Sequence, residues 1–97
     1  MGAILMEPKV IHDKENQQFI TTIEGREIYL RYSMLGSDKI SFNYTYTPPE
    51  LRGRGLAAIV VREGFNFAEG NNLKVIPACP YIYTFLKRYP EYDKFLS

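Results

Sequence analysis

The sequence has no tryptophan, one cysteine and one histidine among its 97 residues. A lone cysteine excludes an internal disulfide framework and any zinc site built on paired cysteines, and a lone histidine adds little ligand capacity. No metal site is expected. No apolar run approaches the roughly 20 residues that span a bilayer. Met1–Met6 is too short an apolar stretch for a secretory leader and lacks its basic prelude. Met1-Gly2 begins as an acylation signal does, but Met6 stands where that signal needs serine or threonine. Met6 is an alternative start, so residues 1–5 are expected to stand outside the fold. Charge of one sign is also lacking. Twelve basic and eleven acidic residues leave a net +1, which supplies no global field for nucleic acid or an anionic membrane. A reduced, cytoplasmic or otherwise intracellular protein is expected, without repeats, linkers or low-complexity tracts.

What is present is a globular composition, 45% hydrophobic, with eight tyrosines and six phenylalanines. At this length a single domain, residues 1–97, is expected. Such a chain buries roughly two thirds of its unfolded surface, so a ligand resting across an edge is more plausible than an enclosed site. Val10–Asp13 and Gln17–Glu24 read as short strands, with Glu24-Gly25 as a turn. Ile28, Leu30, Tyr32 and Met34 alternate with Tyr29, Arg31 and Ser33, the period of a half-buried strand. After Gly36, Ile40, Phe42, Tyr44 and Tyr46 are expected on one face, opposite Ser41, Asn43, Thr45 and Thr47. These strands form an antiparallel meander that Pro48-Pro49 ends. From Leu56 to about Glu69 the spacing turns helical, with Leu56, Ile59, Val60, Glu63 and Phe67 along one apolar stripe, Ala57, Val61, Phe65 and Ala68 widening it, and Gly70-Asn71-Asn72 as the stop. Lys74–Pro77 is a further strand, and Cys79-Pro80 opens a second helix that runs to Arg88 before Tyr89-Pro90. A strand, helix and strand in that order predict a parallel crossover. The fold class is α+β, with about five mostly antiparallel strands. His12 is expected on the surface.

Gly53 and Gly55 interrupt the junction between strand and helix. Glycine admits positive φ and lets a ligand approach bare backbone. Successive N–H groups there converge at the positive end of the helix dipole and suit a diphosphate, with Arg52 and Arg54 adding charge. Between Leu51 and Arg88 lie six basic and two acidic residues, a surplus of four positive charges; the other 59 residues carry six basic and nine acidic. The loop is not a P-loop and lacks the dinucleotide fingerprint. Taken alone, Gly-Arg-Gly reads as an ordinary strand-to-helix connection with solvated arginines.

The longer string Tyr46-Thr47-Pro48-Pro49-Glu50-Leu51-Arg52-Gly53-Arg54-Gly55-Leu56-Ala57 resembles the coenzyme A signature of the GNAT acetyltransferase superfamily. Arg52, Gly55 and Ala57 occupy its fixed positions. The resemblance covers about Arg26 to Glu91 and looks closest to the short single-domain branch called YjdJ-type, through Lys74–Ile82 and Tyr89–Tyr92 as well. It implies a minimal GNAT-like fold and acetyl-CoA, or coenzyme A, as ligand. The amides from Gly53 to Ala57, including Arg54 and Leu56, would hold the pyrophosphate. The strand end at Tyr44–Thr47, with Tyr46 and Thr47, would run beside the pantetheine arm. Lys87 and Arg88 would reach the nucleotide phosphate, or else form a solvated basic helix end.

Cys79 precedes the second helix, where unpaired N–H groups favour thiolate. The resemblance makes it a candidate acyl acceptor or catalytic thiol, against the alternative of a small buried hydrophobe. Tyr81 and Tyr83 are both candidates to protonate a departing thiolate, and spacing does not choose between them. The chain departs from larger family members in lacking the two helices after the first strand and a glutamate base near the ligand. The function expected is acetyl transfer to an unidentified amine or protein acceptor. The alternative is a coenzyme A-binding or sensing module working with a protein partner. Nucleic-acid binding has too few arginines behind it.

Overall fold

Residues 8–97 are described by a computed structural model; the readings of Met1–Met6 lie outside the described residues. Four antiparallel strands follow one another: β1 (Ile11–Asp13), β2 (Gln18–Ile23), β3 (Arg26–Leu35) and β4 (Lys39–Tyr46). Glu24 and Gly25, at φ 52° and 76°, form a two-residue turn of type I′ between the paired Ile23 and Arg26. Helix α1 (Ala57–Gly70) crosses to β5 (Lys74–Pro77), which pairs parallel with β4, so the sheet order is β1-β2-β3-β4-β5. Helix α2 (Pro80–Arg88) and a 3₁₀ segment (Pro90–Phe95) complete the chain. The α+β class and the five-strand sheet with its parallel crossover agree with the sequence reading.

The alternation expected along β4 breaks in the middle. Arg31 pairs with Tyr44, but the next residue, Tyr32, pairs with Phe42, leaving Asn43 as the extra residue of a β-bulge. Each register partner shares a face, so Ile40 and Phe42 face the helices with Met34 and Tyr32, while Tyr44 and Tyr46 flip to the other side. Thr45 takes the helix-facing place opposite buried Leu30. The Asn43 side chain bridges the bulge by accepting from Ser41 Oγ and donating to Ser33 Oγ.

The buried face of α1 falls on the widened side of the expected stripe. Its buried residues are Ala58, Val60, Val61, Gly64, Phe65 and Ala68, and Ile59, Glu63 and Phe67 lie at its flanks. Gly64 sits at the contact with the sheet, where a Cβ would come within 2.8 Å of Leu30 and 2.9 Å of Phe42. Both of those side chains are fully buried and have no room to yield. Close approach, rather than helix propensity, selects glycine. The helix ends in a Schellman motif, with Asn72 in the left-handed region at φ 55° and Leu73 N–H donating to Ala68 O at 2.9 Å. Phe65 then ties the layers together. It meets Phe42 edge-on at 5.2 Å, stacks on Phe85 of α2 at 5.6 Å and touches Tyr92 at 5.1 Å. The chain end, which the sequence left without an element, adds a parallel bridge from Leu96 to Val75. Among the described residues no helix is long and apolar enough to cross a membrane.

His12 is not the surface residue expected. It is half-buried, stacked on Phe19 at 4.3 Å and edge-on to Phe67 at 4.6 Å, with Nε2 2.6 Å from the Tyr32 hydroxyl. Burial and nearby Lys14 lower its pKa, against smaller opposing pulls from Asp13 and Glu63. The unfolded chain therefore takes up this proton first as pH falls below about 6.5. The contribution is present above that pH and is lost as pH drops towards the folded-state pKa. The urea midpoint is expected to fall between pH 7 and 5, with the slope reduced in His12→Phe. An unchanged slope in that variant would place the titration elsewhere.

Candidate functional site

The site begins where β4 and β5 part. Their pairing ends at Phe42 and Pro77, and the Cys79 N–H makes one further bond to Phe42 O at 2.9 Å. Beyond this point β4 continues to Tyr46 with β3 on one side only, while the other chain turns into α2. The edge of β4 from Asn43 onward is left with free backbone groups. A short 3₁₀ turn (Pro49–Leu51) then carries the chain towards α1, anchored by buried Leu51. Arg52 folds back, and its Nε donates to Thr47 O at 2.9 Å.

Gly53 and Gly55 have φ of 82° and 71°, and added Cβ atoms there would meet nothing closer than Arg88 Nη1, 3.9 Å from Gly55. The glycines are thus required by conformation rather than by crowding. In this conformation the N–H groups of Gly53, Arg54, Gly55, Leu56 and Ala57 find no acceptor among the described residues. Five consecutive unpaired donors thus stand at the start of a 14-residue helix, an arrangement of the kind that suits an anion.

A cleft of about 300 Å³ opens over this loop, lined by Tyr44–Thr47, Leu51–Gly53, Gly55–Ala57 and Tyr81. A second, of about 490 Å³, shares Gly53, Gly55 and Tyr81 and extends along α2 past Thr84, Phe85, Lys87, Arg88 and Tyr89. Together they make one groove from the free edge of β4, across the glycine loop, to the basic end of α2. It holds Tyr46, Thr47, Arg52, Gly53, Gly55, Leu56, Ala57, Lys87 and Arg88 of the expected binding residues. Arg54 lines neither cleft: its guanidinium turns away to Glu24 at 2.9 Å and holds that carboxyl below its usual range. Thr84 and Tyr89 were not anticipated. Thr84 and Arg88 follow Tyr81 at helical spacing of three and seven, which is the signal that would have found Thr84.

The three candidate catalytic residues are separated by the structure. Tyr81 is half-buried and lines both clefts, and burial followed by neighbouring Tyr89 raises its pKa despite opposing effects of Arg88 and Arg62. Tyr83 is 55% exposed and lines neither. Cys79 is 5% exposed within the hydrophobic core, its Sγ 3.5 Å from Thr45 Oγ1, and it too lines neither cleft. Its own amide is bonded to Phe42 O. No carboxylate lines either cleft, and among the described residues no three metal-ligating side chains gather.

Residues 18–95 match the family model described as GCN5-related N-acetyl-transferase. The chain is 30% identical over 84 residues to protein NATD1 of Danio rerio, covering 84% of this chain and 76% of that protein. With protein NATD1 of Homo sapiens the identity is 29%, covering 84% and 74% respectively. A solution structure from Staphylococcus aureus, described as GCN5-like, superposes with a TM-score of 0.71 at 19% identity, covering 92% of this chain and 87% of that one. With the family model spanning β2 to the final 3₁₀ segment, the chain belongs to the GCN5-related N-acetyltransferase family.

Proposed function

We propose that the groove binds acetyl-CoA and that the protein transfers its acetyl group directly to an amine. The observation that carries this reading is the run of five unpartnered amides, Gly53 to Ala57, set between the free edge of β4 and the basic end of α2. Its donors suit a diphosphate, the unpaired strand edge suits the amide groups of a pantetheine arm, and Lys87 and Arg88 suit further phosphate. An elongated, anionic, amide-bearing ligand fits all three. When bound, acetyl-CoA supplies an acyl thioester already activated towards an amine.

The protein's share of the chemistry is positioning and one proton. The loop amides fix the diphosphate end, and the β4 edge aligns the arm towards the point where β4 and β5 diverge. Tyr81, protonated at neutral pH, stands over this path as donor to the departing thiolate. The amine must arrive neutral or lose its proton to water, since no carboxylate lines the groove. Cys79 is assigned a packing role beside Thr45, as its burial supports, so no acetyl-cysteine forms. The absence of a lining base also favours a second reading, in which the protein binds acyl-CoA for a partner without turnover.

Calorimetric titration with acetyl-CoA tests the binding half. Gly55→Val is expected to weaken binding by roughly tenfold or more, since φ near +71° is strained for valine, with the circular dichroism of the sheet retained. Unchanged affinity would remove the loop from the ligand site. Turnover with small amines tests the rest. Tyr81→Phe is expected to lower kcat by roughly a hundredfold while preserving affinity, as loss of a general acid does, and Tyr83→Phe is expected to change neither. Equal effects of the two would overturn the assignment of Tyr81, and binding without turnover in the parent protein would select the second reading.

A further inference from the structure

All helical elements pack on one side of the sheet, where Phe65 joins α1, α2 and the final 3₁₀ segment. Among the described residues nothing covers the opposite face. That face is not uniformly polar, as a water-facing antiparallel sheet ordinarily is. Register places Ile11, Ile20, Tyr29 and Tyr46 in one row across β1 to β4. Ile11 is 57% exposed, and Tyr44, beside the row's end, is 49% exposed. Tyr29 stacks on Tyr46 at 5.4 Å and lies 6.2 Å from Tyr44, so the aromatic part is continuous.

The charges on this face have an order of their own. Glu27 and Arg31 stand two residues to either side of Tyr29 on β3, on its face and both exposed. Four residues of strand separate them by roughly 13 Å, too far to pair within one chain. Arg31 instead lies over the Tyr29 ring at 4.7 Å, and Glu27 forms no ion pair among the described residues. In register beside them on β2 are Thr22, opposite Glu27, and Gln18, opposite Arg31.

We propose that this face is the interface of a homodimer, with a second copy packed sheet to sheet about a two-fold axis running along the apolar row. Such an axis reverses the strand direction of the second copy. Tyr29 then meets Tyr29, each Glu27 meets the other copy's Arg31, and Gln18 meets Thr22. Facing sheets lie about 10 Å apart with strands near −30°, a gap that an arginine and a glutamate span together. The result is an apolar centre with a charged and polar rim, the usual anatomy of an interface. Self-complementarity of this kind is what a two-fold interface requires, and a foreign partner would impose no such pairing.

The experiment is sedimentation velocity from low micromolar to several hundred micromolar protein. The parent chain is expected to pass from monomer to dimer across this range. Arg31→Glu and Glu27→Arg each place like charges at both contacts, and each is expected to weaken dimerisation by roughly tenfold or more. Mixed in equal amounts, the two variants are expected to form a heterodimer, because both contacts again join an acid to a base. Neither residue lines the groove or belongs to the core, so circular dichroism like the parent's identifies both variants as folded controls. A parent chain that stays monomeric overturns the proposal. So does a dimer indifferent to both substitutions, or a mixture that recovers no heterodimer.

Discussion

One extra residue in β4 governs the rest of the molecule. Without Asn43, strict alternation would turn Tyr44 and Tyr46 into the helix layer, whose space is already filled by Phe42, Phe65 and Phe85. The bulge sends the two rings outward and brings the small Thr45 inward, against Cys79. Bulges also increase local twist and bend the strand that carries them. Here the bend coincides with the last β4–β5 pair, Phe42 with Pro77, so one local irregularity opens the wedge on which the groove depends. The cost of the unpaired residue is met locally by the Ser41–Asn43–Ser33 hydrogen bonds.

Among the described residues the sheet carries one helical layer. The core is concentrated where α1 approaches the sheet at Gly64, and aromatic contacts from Phe65 secure α2 and the chain end. Two consequences follow from that economy. The groove lies at the boundary between sheet and helices, where backbone groups are free to bind, rather than in an internal cavity. The far face of the sheet retains its apolar row, which in larger α+β proteins a second layer would cover.

Local signals in the sequence are those that survived. Paired glycines between a strand and a helix, proline ahead of α2 and the strand-helix-strand order were all readable because each acts over a few residues. Cys79 and His12 were harder, since their surroundings come from distant parts of the chain: Thr45 and Phe42 for one, Phe19, Tyr32 and Phe67 for the other. Arg54 reads as a loop cation until a hairpin 30 residues away presents Glu24. On α1 the buried Val60, Val61, Phe65 and Ala68 were legible, but Gly64, at the centre of that face, carries no hydrophobic signal. The bulge was hidden for the opposite reason, as Ile40, Phe42, Tyr44 and Tyr46 continue the alternation through the point where the backbone abandons it.

The proposed ligand groove joins consecutive loop amides to an unpaired strand edge. Amide proton–nitrogen correlation spectra of the labelled protein, titrated with acetyl-CoA, test it most directly. The largest shifts are expected at Gly53 through Ala57 and along β4 beyond Phe42, with lesser shifts around Tyr81 and Arg88. Unmoved amides from Gly53 to Ala57 at saturating ligand would contradict it.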